Sequence, residues 1–342
     1  MIFFILFAAI ILLFSQHRSI LFLFLFFVIL FLLAGYRDVT VGTDTFRYLE
    51  HYQRIQNELN VWRLEYLWIK VMELVSFFNG TFANLLLVTH LIILIPLFFV
   101  FVKASRYPIL SLFFYVTFYY YFYSLNIMRQ SVAVSLILLA FYVFYSNFKL
   151  KWLYTVLIVT GAVLFHNSAL IFILAIFMKY FLEKYEGYLI TILVGSILLG
   201  LVFFNSFLNY LSLDKYEYVS NESEAFSISV VSILSSLVIN VIVILIRNII
   251  VKKTYWYYLF IASVVLSNLL IITPYGNRLV MFLGITKLIL FANLIDNNNL
   301  IKKQRSLWMV SMVAYSLFYF ILVLGNGGVL PYSSSFLNLY FS

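Results

Sequence analysis

Long stretches without charge recur along the whole chain, separated by short polar loops, and this pattern leaves few folds open. Apolar runs able to enter a membrane fall at roughly 2–15, 20–34, 82–102, 109–125, 127–147, 152–165, 169–182, 188–204, 227–246, 255–272, 278–294 and 307–324. A helix needs roughly 20 apolar residues to span the hydrocarbon, and 342 residues have room for twelve or thirteen such segments with short loops. Backbone groups in lipid must be satisfied within a helix or a closed barrel, and the runs lack the strict alternation of barrel strands. With 65% of residues hydrophobic and 10% charged, a polar coat over one apolar core is excluded. The expected fold is all-α: a polytopic transmembrane bundle of about twelve spans, forming a single integral membrane domain over 1–342.

The first residues, MIFFILFAAIILLF, carry no basic leader and no small-residue cleavage pattern, which predicts a retained first helix. The absence of cysteine excludes disulfides, thiolate metal sites and cysteine nucleophiles. A net charge of +9 suggests nucleic acid only until the charges are located. The alternate loops QHRS, KASRYP, FKLK, KYFLEKYEGY, RNIIVKKTYW and DNNNLIKKQRS hold 13 of the 22 Lys and Arg, with only Glu183, Glu186 and Asp296 as acids. Basic loops stay cytoplasmic, so the longer loops 35–80 and 205–226 are expected on the outer face, with the corners at 126–130, 166–168 and 273–278. The stretch 61–78 is apolar but carries Arg63, Glu65, Lys70 and Glu73. Central charges on a span cost at least a few kcal/mol each, which favours an amphipathic helix on the outer face; if it crosses, the count becomes thirteen. The aromatic stretch 113–125 reads as an interfacial belt, with a sugar-stacking surface as the alternative.

Four outer-face places hold polar residues that topology does not require. The loop after the second run sets Arg37, Asp38, Asp44, Thr45, Arg47 and Tyr48 around Gly42, and Asp44 can cap a following helix or do chemistry. Asn126, Arg129 and Gln130 stand at i, i+3 and i+4 on one helical face. His166 lies at a tight corner after a run of only about 21 Å, with Ser168 placed to cap the next helix. Asn277 and Arg278 follow the break made by Pro274 and Gly276. Arg37, Arg129 and Arg278 thus share a face that should be poor in positive charge, and guanidinium groups recognise phosphate bidentately. A lipid-linked diphosphate is the natural ligand for such a cluster. Within the spans, His90, Asn268 and Lys287 are candidate bundle-facing polar groups or interhelical bonds. Nucleotide loops, dinucleotide turns, HExxH pairs and GxSxG elbows are missing from the sequence.

These residues resemble the bacterial surface-polysaccharide polymerases of the EpsG/Wzy type, including O-antigen polymerases. The resemblance rests on RDVTVGTDTFRY at 37–48, Glu65, MRQSVAVSLILLAFY at 128–142, FHNSAL at 165–170, GNRL at 276–279 and LPYSSSF near the end. It implies a membrane glycosyltransferase that joins polyprenyl-diphosphate-linked oligosaccharide repeat units at the outer face of the bacterial cytoplasmic membrane, without metal, nucleotide or other cofactor. On that chemistry Arg37, Arg129 and Arg278 would bind diphosphate, and Asp44 or His166 would be the base. Asp38, Thr45, Tyr48, Glu65, Asn126, Gln130, Ser168 and Asn277 would support them. The implied partners are the lipid-linked saccharides, membrane lipid, a chain-length regulator and a flippase, with no nucleic acid. Where the family carries a prolyl residue after its glutamate, this chain has Tyr66. A flippase for lipid-linked saccharides and a membrane O-acyltransferase are the competing readings; the first would need polar groups running through mid-membrane, the second an acyl-donor site.

Overall fold

The computed structural model describes residues 2–61, 64–204, 230–250, 253–271, 276–294, 302–324, 326–337 and 339–341. The outer loop expected at 205–226, together with Trp62, Arg63 and Pro274, lies outside the described residues. The chain falls into two compact units: Met1–Leu170 with Leu288–Asp296 and Ile301–Ser342, and Ile171–Lys287 with Asn297–Leu300.

The first unit opens with α1 (Ile2–Leu13) and α2 (Ile20–Gly35), followed by two short helices, α3 (Thr45–Gln56) and α4 (Tyr66–Phe77). Then come α5 (Phe82–Ala104), α6 (Pro108–Thr117), α7 (Tyr120–Asn126), α8 (Met128–Phe144) and α9 (Lys151–Phe165), which ends in a 3-10 turn at Asn167–Leu170. α5 is 23 residues long and starts at a capping box in which Thr81 and Asn84 satisfy each other's backbone N–H groups, the donors a helix start leaves open. α4 is 12 residues long, about 18 Å, too short to cross a hydrocarbon core of roughly 30 Å. It buries Trp68, Met72 and Val75 and leaves Tyr66 and Leu74 exposed, and it packs on α3, α5 and α9.

Helices fall on the expected apolar runs, but two runs are broken. The run at 109–125 divides between α6 and α7 because Tyr119 takes a left-handed φ of 68°, a conformation a bulky side chain adopts only under tertiary constraint. Its phenol donates to Asn326 O at 3.1 Å, and its ring stacks on Phe122 at 4.8 Å. The expected aromatic belt is therefore corrected: Phe113, Phe114, Tyr115, Phe118, Tyr119, Tyr120, Tyr121 and Phe122 are buried core. Buried phenols need acceptors, and Tyr121 finds one in Leu30 O at 3.0 Å. The second break divides 278–294 into helices at Gly276–Gly284 and Lys287–Leu294.

Among the described residues, Phe82–Ala104 and Gln304–Val323 are long and apolar enough to cross a membrane alone, and up to four spans result if each of two bent helix pairs counts as one. The other expected spans correspond to apolar helices of 10–17 residues, so helix length does not by itself yield the count of twelve. Membrane character is nonetheless written on the surface. Leu6, Ile10 and Leu13 on α1, Ile20, Leu21 and Phe24 on α2, and Trp152, Val156 and Leu157 on α9 are all exposed, far more apolar surface than a water-soluble chain presents.

The second unit contains α10 (Ile171–Lys184), α11 (Leu189–Leu199), α12 (Val230–Ile249), α13 (Tyr255–Leu269) and α14 (Gly276–Gly284). Its core is pinned by a polar knot. Asn268 accepts from Ser236 Oγ at 2.7 Å and Asn240 Nδ2 at 2.9 Å, and donates to Ser196 Oγ at 2.9 Å. Asn268 is thus the interhelical bond that its position in an apolar run allowed, joining α11, α12 and α13; a buried amide with its partners satisfied is stable there.

The chain ends in α15 (Lys287–Leu294), α16 (Lys302–Val323) and a small hairpin of β1 (Tyr332–Ser334) and β2 (Leu339–Phe341). This hairpin, the one departure from an all-α fold among the described residues, is tied to the 36–45 loop. Asp38 N donates to Ser333 O at 2.9 Å, and Gly42 N and Thr43 N donate to Gly328 O and Gly327 O at 2.8 and 2.9 Å.

Candidate active site

Residues 36–48 form a compact loop because their polar groups are consumed locally. Thr45 Oγ1 donates to Val41 O at 2.6 Å. Asn126 Oδ1 accepts from Thr43 Oγ1 at 3.1 Å and from Asp44 N at 2.8 Å, satisfying a backbone donor at the start of α3. Asp44 occupies the N-cap position but makes no side-chain cap bond. Asp38 takes the backbone N–H of Ser335 at 2.9 Å. Burial would raise its carboxyl, but hydrogen bonds from Ser335 and Ser333 outweigh that and hold it below its ordinary value. Gly42 has φ +93°, and a Cβ there would stand 2.9 Å from Thr45 Oγ1 and 3.0 Å from Leu125 O. Gly42→Ala should therefore lower stability by about 1–3 kcal/mol, read as a lower thermal midpoint of the purified protein in detergent; an unchanged midpoint would show that the loop relaxes freely.

Arg37, expected to bind diphosphate, is buried at 4% exposure. Its guanidinium donates to Ala34 O and, at 2.9 Å, to Leu125 O, and lies 3.3 Å from Met128 Sδ. Burial lowers its pKa to about 10, with partial opposition from Tyr121, Tyr332 and Tyr48, so it remains charged at neutral pH. In this position it clips the end of α2 to the α7–α8 junction.

The ionic centre lies at Glu65. The residue holds an extended backbone, φ −71° and ψ 147°, at the N-cap position of α4, yet its carboxylate makes no cap bond. It turns instead to two other elements: Arg129 Nη1, in the first turn of α8, pairs with Oε2, and His166 Nδ1, just past α9, lies 2.9 Å from Oε1. A carboxylate only accepts, so the Nδ1 of His166 carries the proton. The Glu65 side chain is 13% exposed and those of Arg129 and His166 26%, so solvent screens the group only partly. Burial alone would raise the Glu65 carboxyl; the His166 hydrogen bond and the Arg129 charge outweigh it and hold the pKa below its ordinary value. Tyr48, buried on α3, has its phenol raised by burial against the opposing charge of Arg129, and its ring meets Trp68 edge-on at 5.3 Å. Tyr66, standing where the family has proline, occupies the first helical position of α4; proline is favoured there but not required.

Beside this group opens a cleft of about 400 Å³ lined by Leu64, Glu65, Tyr66, Val163, Leu164 and Asn167. One carboxylate holding an arginine and an imidazole at the mouth of a cleft can orient a general base and stabilise charge. Among the described residues no group of His, Asp and Glu suits a metal ion.

A family model for EpsG matches residues 20–334, which takes in every element of this centre. The chain belongs to the EpsG family. No curated protein and no solved structure matches it. EpsG membership brings a glycosyltransferase-like, polysaccharide-polymerase type of role in general terms, and a membrane setting that agrees with the exposed apolar helices.

Of the residues singled out in the sequence, this EpsG-family chain brings together Glu65, Arg129, His166 and Tyr48. Thr45 and Asn126 build the adjoining loop, Gln130 is buried in the first turn of α8, and Ser168 sits half-buried in the 3-10 turn after His166. Asp44 joins no ion pair among the described residues. Asn277 and Arg278 are exposed at the start of α14 in the second unit. Glu65 was legible only as a supporting residue; the signal for its centrality was a charge inside a stretch otherwise apolar enough to insert. His51, one turn after Tyr48, was not legible at all, and it lies within electrostatic reach of Arg129.

Proposed function

We propose that this protein polymerises polyprenyl-diphosphate-linked oligosaccharide repeat units by glycosyl transfer at the outer face of the cytoplasmic membrane. The observation that carries the reading is Glu65 bonded at once to His166 and Arg129 beside a cleft, on loops that the charge pattern assigns to the outside. His166, with Nδ1–H fixed by Glu65, presents Nε2 as the base for the acceptor sugar hydroxyl. As the hydroxyl oxygen bonds to the anomeric carbon of the growing chain, its proton passes to Nε2. The anomeric carbon–oxygen bond breaks, and the diphosphate leaves with the electron pair. Glu65 stabilises the imidazolium that forms, the role a carboxylate plays behind a histidine base. Arg129, paired with the other oxygen of Glu65, holds that carboxylate in place. Asp44, which touches neither partner, has no part in this scheme, and Arg37 serves as scaffold. The lipid-linked diphosphate itself is the leaving group, so the donor needs no nucleotide.

Gene deletion tests the reading. Loss of a polymerase leaves single repeat units on their carrier or acceptor, seen as one short band on a carbohydrate-stained gel. Absence of any outer repeat unit would mark a flippase instead, and long unmodified chains an acyltransferase.

A further inference from the structure

Two of the arginines assigned to diphosphate by sequence are committed elsewhere in the first unit. Arg37 is buried on carbonyl oxygens, and the charge of Arg129 is met by Glu65. Arg47 and Arg54, by contrast, are exposed on α3 with no ion pair or side-chain hydrogen bond among the described residues. Between them stands His51, half-buried, its Nδ1 enclosed and without a hydrogen-bond partner. The charged groups around His51 are Arg129, Arg47, Glu50 and Arg54, so cations outnumber the single acid three to one.

The helix geometry makes these residues one surface. At 3.6 residues per turn, positions 47, 51 and 54 fall within about 60° of arc and along about 10 Å of the axis. The buried face of the same helix is Thr45, Tyr48 and Tyr52, and His51 lies between that face and the two arginines. α3 packs on α4, which starts at Glu65, so the stripe lies on a helix next to the Glu65 centre. Guanidinium pairs close bidentately on phosphate oxygens, and the half-buried imidazole of His51 borders them on the same side of the helix.

We propose that Arg47, His51 and Arg54 form an anion-binding stripe on α3 that takes the phosphate groups of a diphosphate-bearing lipid beside the Glu65 centre. The stripe replaces Arg37 in that task; the identity of the anion as a carrier diphosphate rests on the proposed polymerase function.

The full chain is purified in a neutral detergent, and binding of geranylgeranyl diphosphate is measured by titration calorimetry, with inorganic pyrophosphate and phosphatidylglycerol as competitors. Arg47→Gln with Arg54→Gln should weaken binding at least tenfold and His51→Gln about threefold, each with an unchanged thermal midpoint. The double lysine variant should retain most of the affinity. Pyrophosphate should displace the ligand, and phosphatidylglycerol should not. Lys70→Gln, at an exposed cation on α4 already paired with Glu73, should bind as wild type. Unchanged affinity in the double variant overturns the proposal. So does equal displacement by phosphatidylglycerol, which marks a headgroup anchor, or an equal loss in Lys70→Gln, which marks unspecific charge. Glu65→Gln should still bind the diphosphate. A gene deletion that keeps long polymer, together with stripe-dependent binding, would remove the polymerase reading and leave the stripe standing.

Discussion

Cells carrying Glu65→Gln in place of the wild-type chain should lose long polymer and retain only single repeat units, while the protein still accumulates in the membrane. The amide keeps the shape of the side chain but removes the charge that fixes His166 and meets Arg129. A misoriented base costs about 10²–10⁴ in rate, enough to empty the long-chain region of a gel. Glu65→Asp should restore part of the polymer, since charge returns at shorter reach. His166→Gln should resemble Glu65→Gln, because both remove the same proton path. Normal chain length at normal protein level in Glu65→Gln would sink the assignment. A thermodynamic signature accompanies the kinetic one. The Glu65 carboxyl is held below its ordinary value in the folded protein, so its ion pairs stabilise the fold above the ordinary carboxylate range and that stability is lost as pH falls through the folded pKa. Thermal midpoints of the wild type should drop in acid more steeply than those of Glu65→Gln.

Arg37→Ala should act differently, by depleting the protein itself. Removing the guanidinium leaves the carbonyl oxygens of Ala34 and Leu125 short of a donor in a buried site, at about 1–3 kcal/mol each, and opens a cavity besides. A destabilisation of about 2–6 kcal/mol is a large share of the stability of an ordinary domain. Lysine should not rescue it, because a point charge cannot reach both carbonyls in the fork geometry of arginine. The measurement is membrane protein level by immunoblot beside polymer length. Were Arg37→Ala to accumulate normally and lose only polymer, Arg37 would return to the ligand set and its burial on carbonyls would be incidental.

The two variants separate what could be read along the chain from what could not. Class and residue types were legible, because a membrane forces apolar runs of a minimum length and loops of a given charge; the runs at 20–34, 82–102 and 127–147 became helices at nearly those bounds. The EpsG resemblance was legible for a related reason: the polar residues of its motifs lie on loops and at helix ends, where few other residues compete for notice. The partition of the arginines was not. Arg37, Arg47 and Arg129 are equivalent in sequence, as cations on loops or helix ends of one expected face. Folding alone drives the first onto carbonyl oxygens, pairs the third with a carboxylate from position 65, and leaves the second exposed. The same holds for the aromatic stretch 113–125, whose composition fits a belt, a sugar surface or a core; the left-handed turn at Tyr119 and its bond to Asn326 make it core.

By itself, then, the sequence determined that this chain belongs in a membrane, that it is helical, and which loops and helix ends carry its few Arg, Asp, Glu and His residues. The tertiary structure decided that Glu65 joins Arg129 and His166, across 64 and 101 residues of chain. Local periodicity speaks for positions a few residues apart on one helix, whereas a contact between distant loops depends on how three helices pack, and that packing is set by the whole bundle.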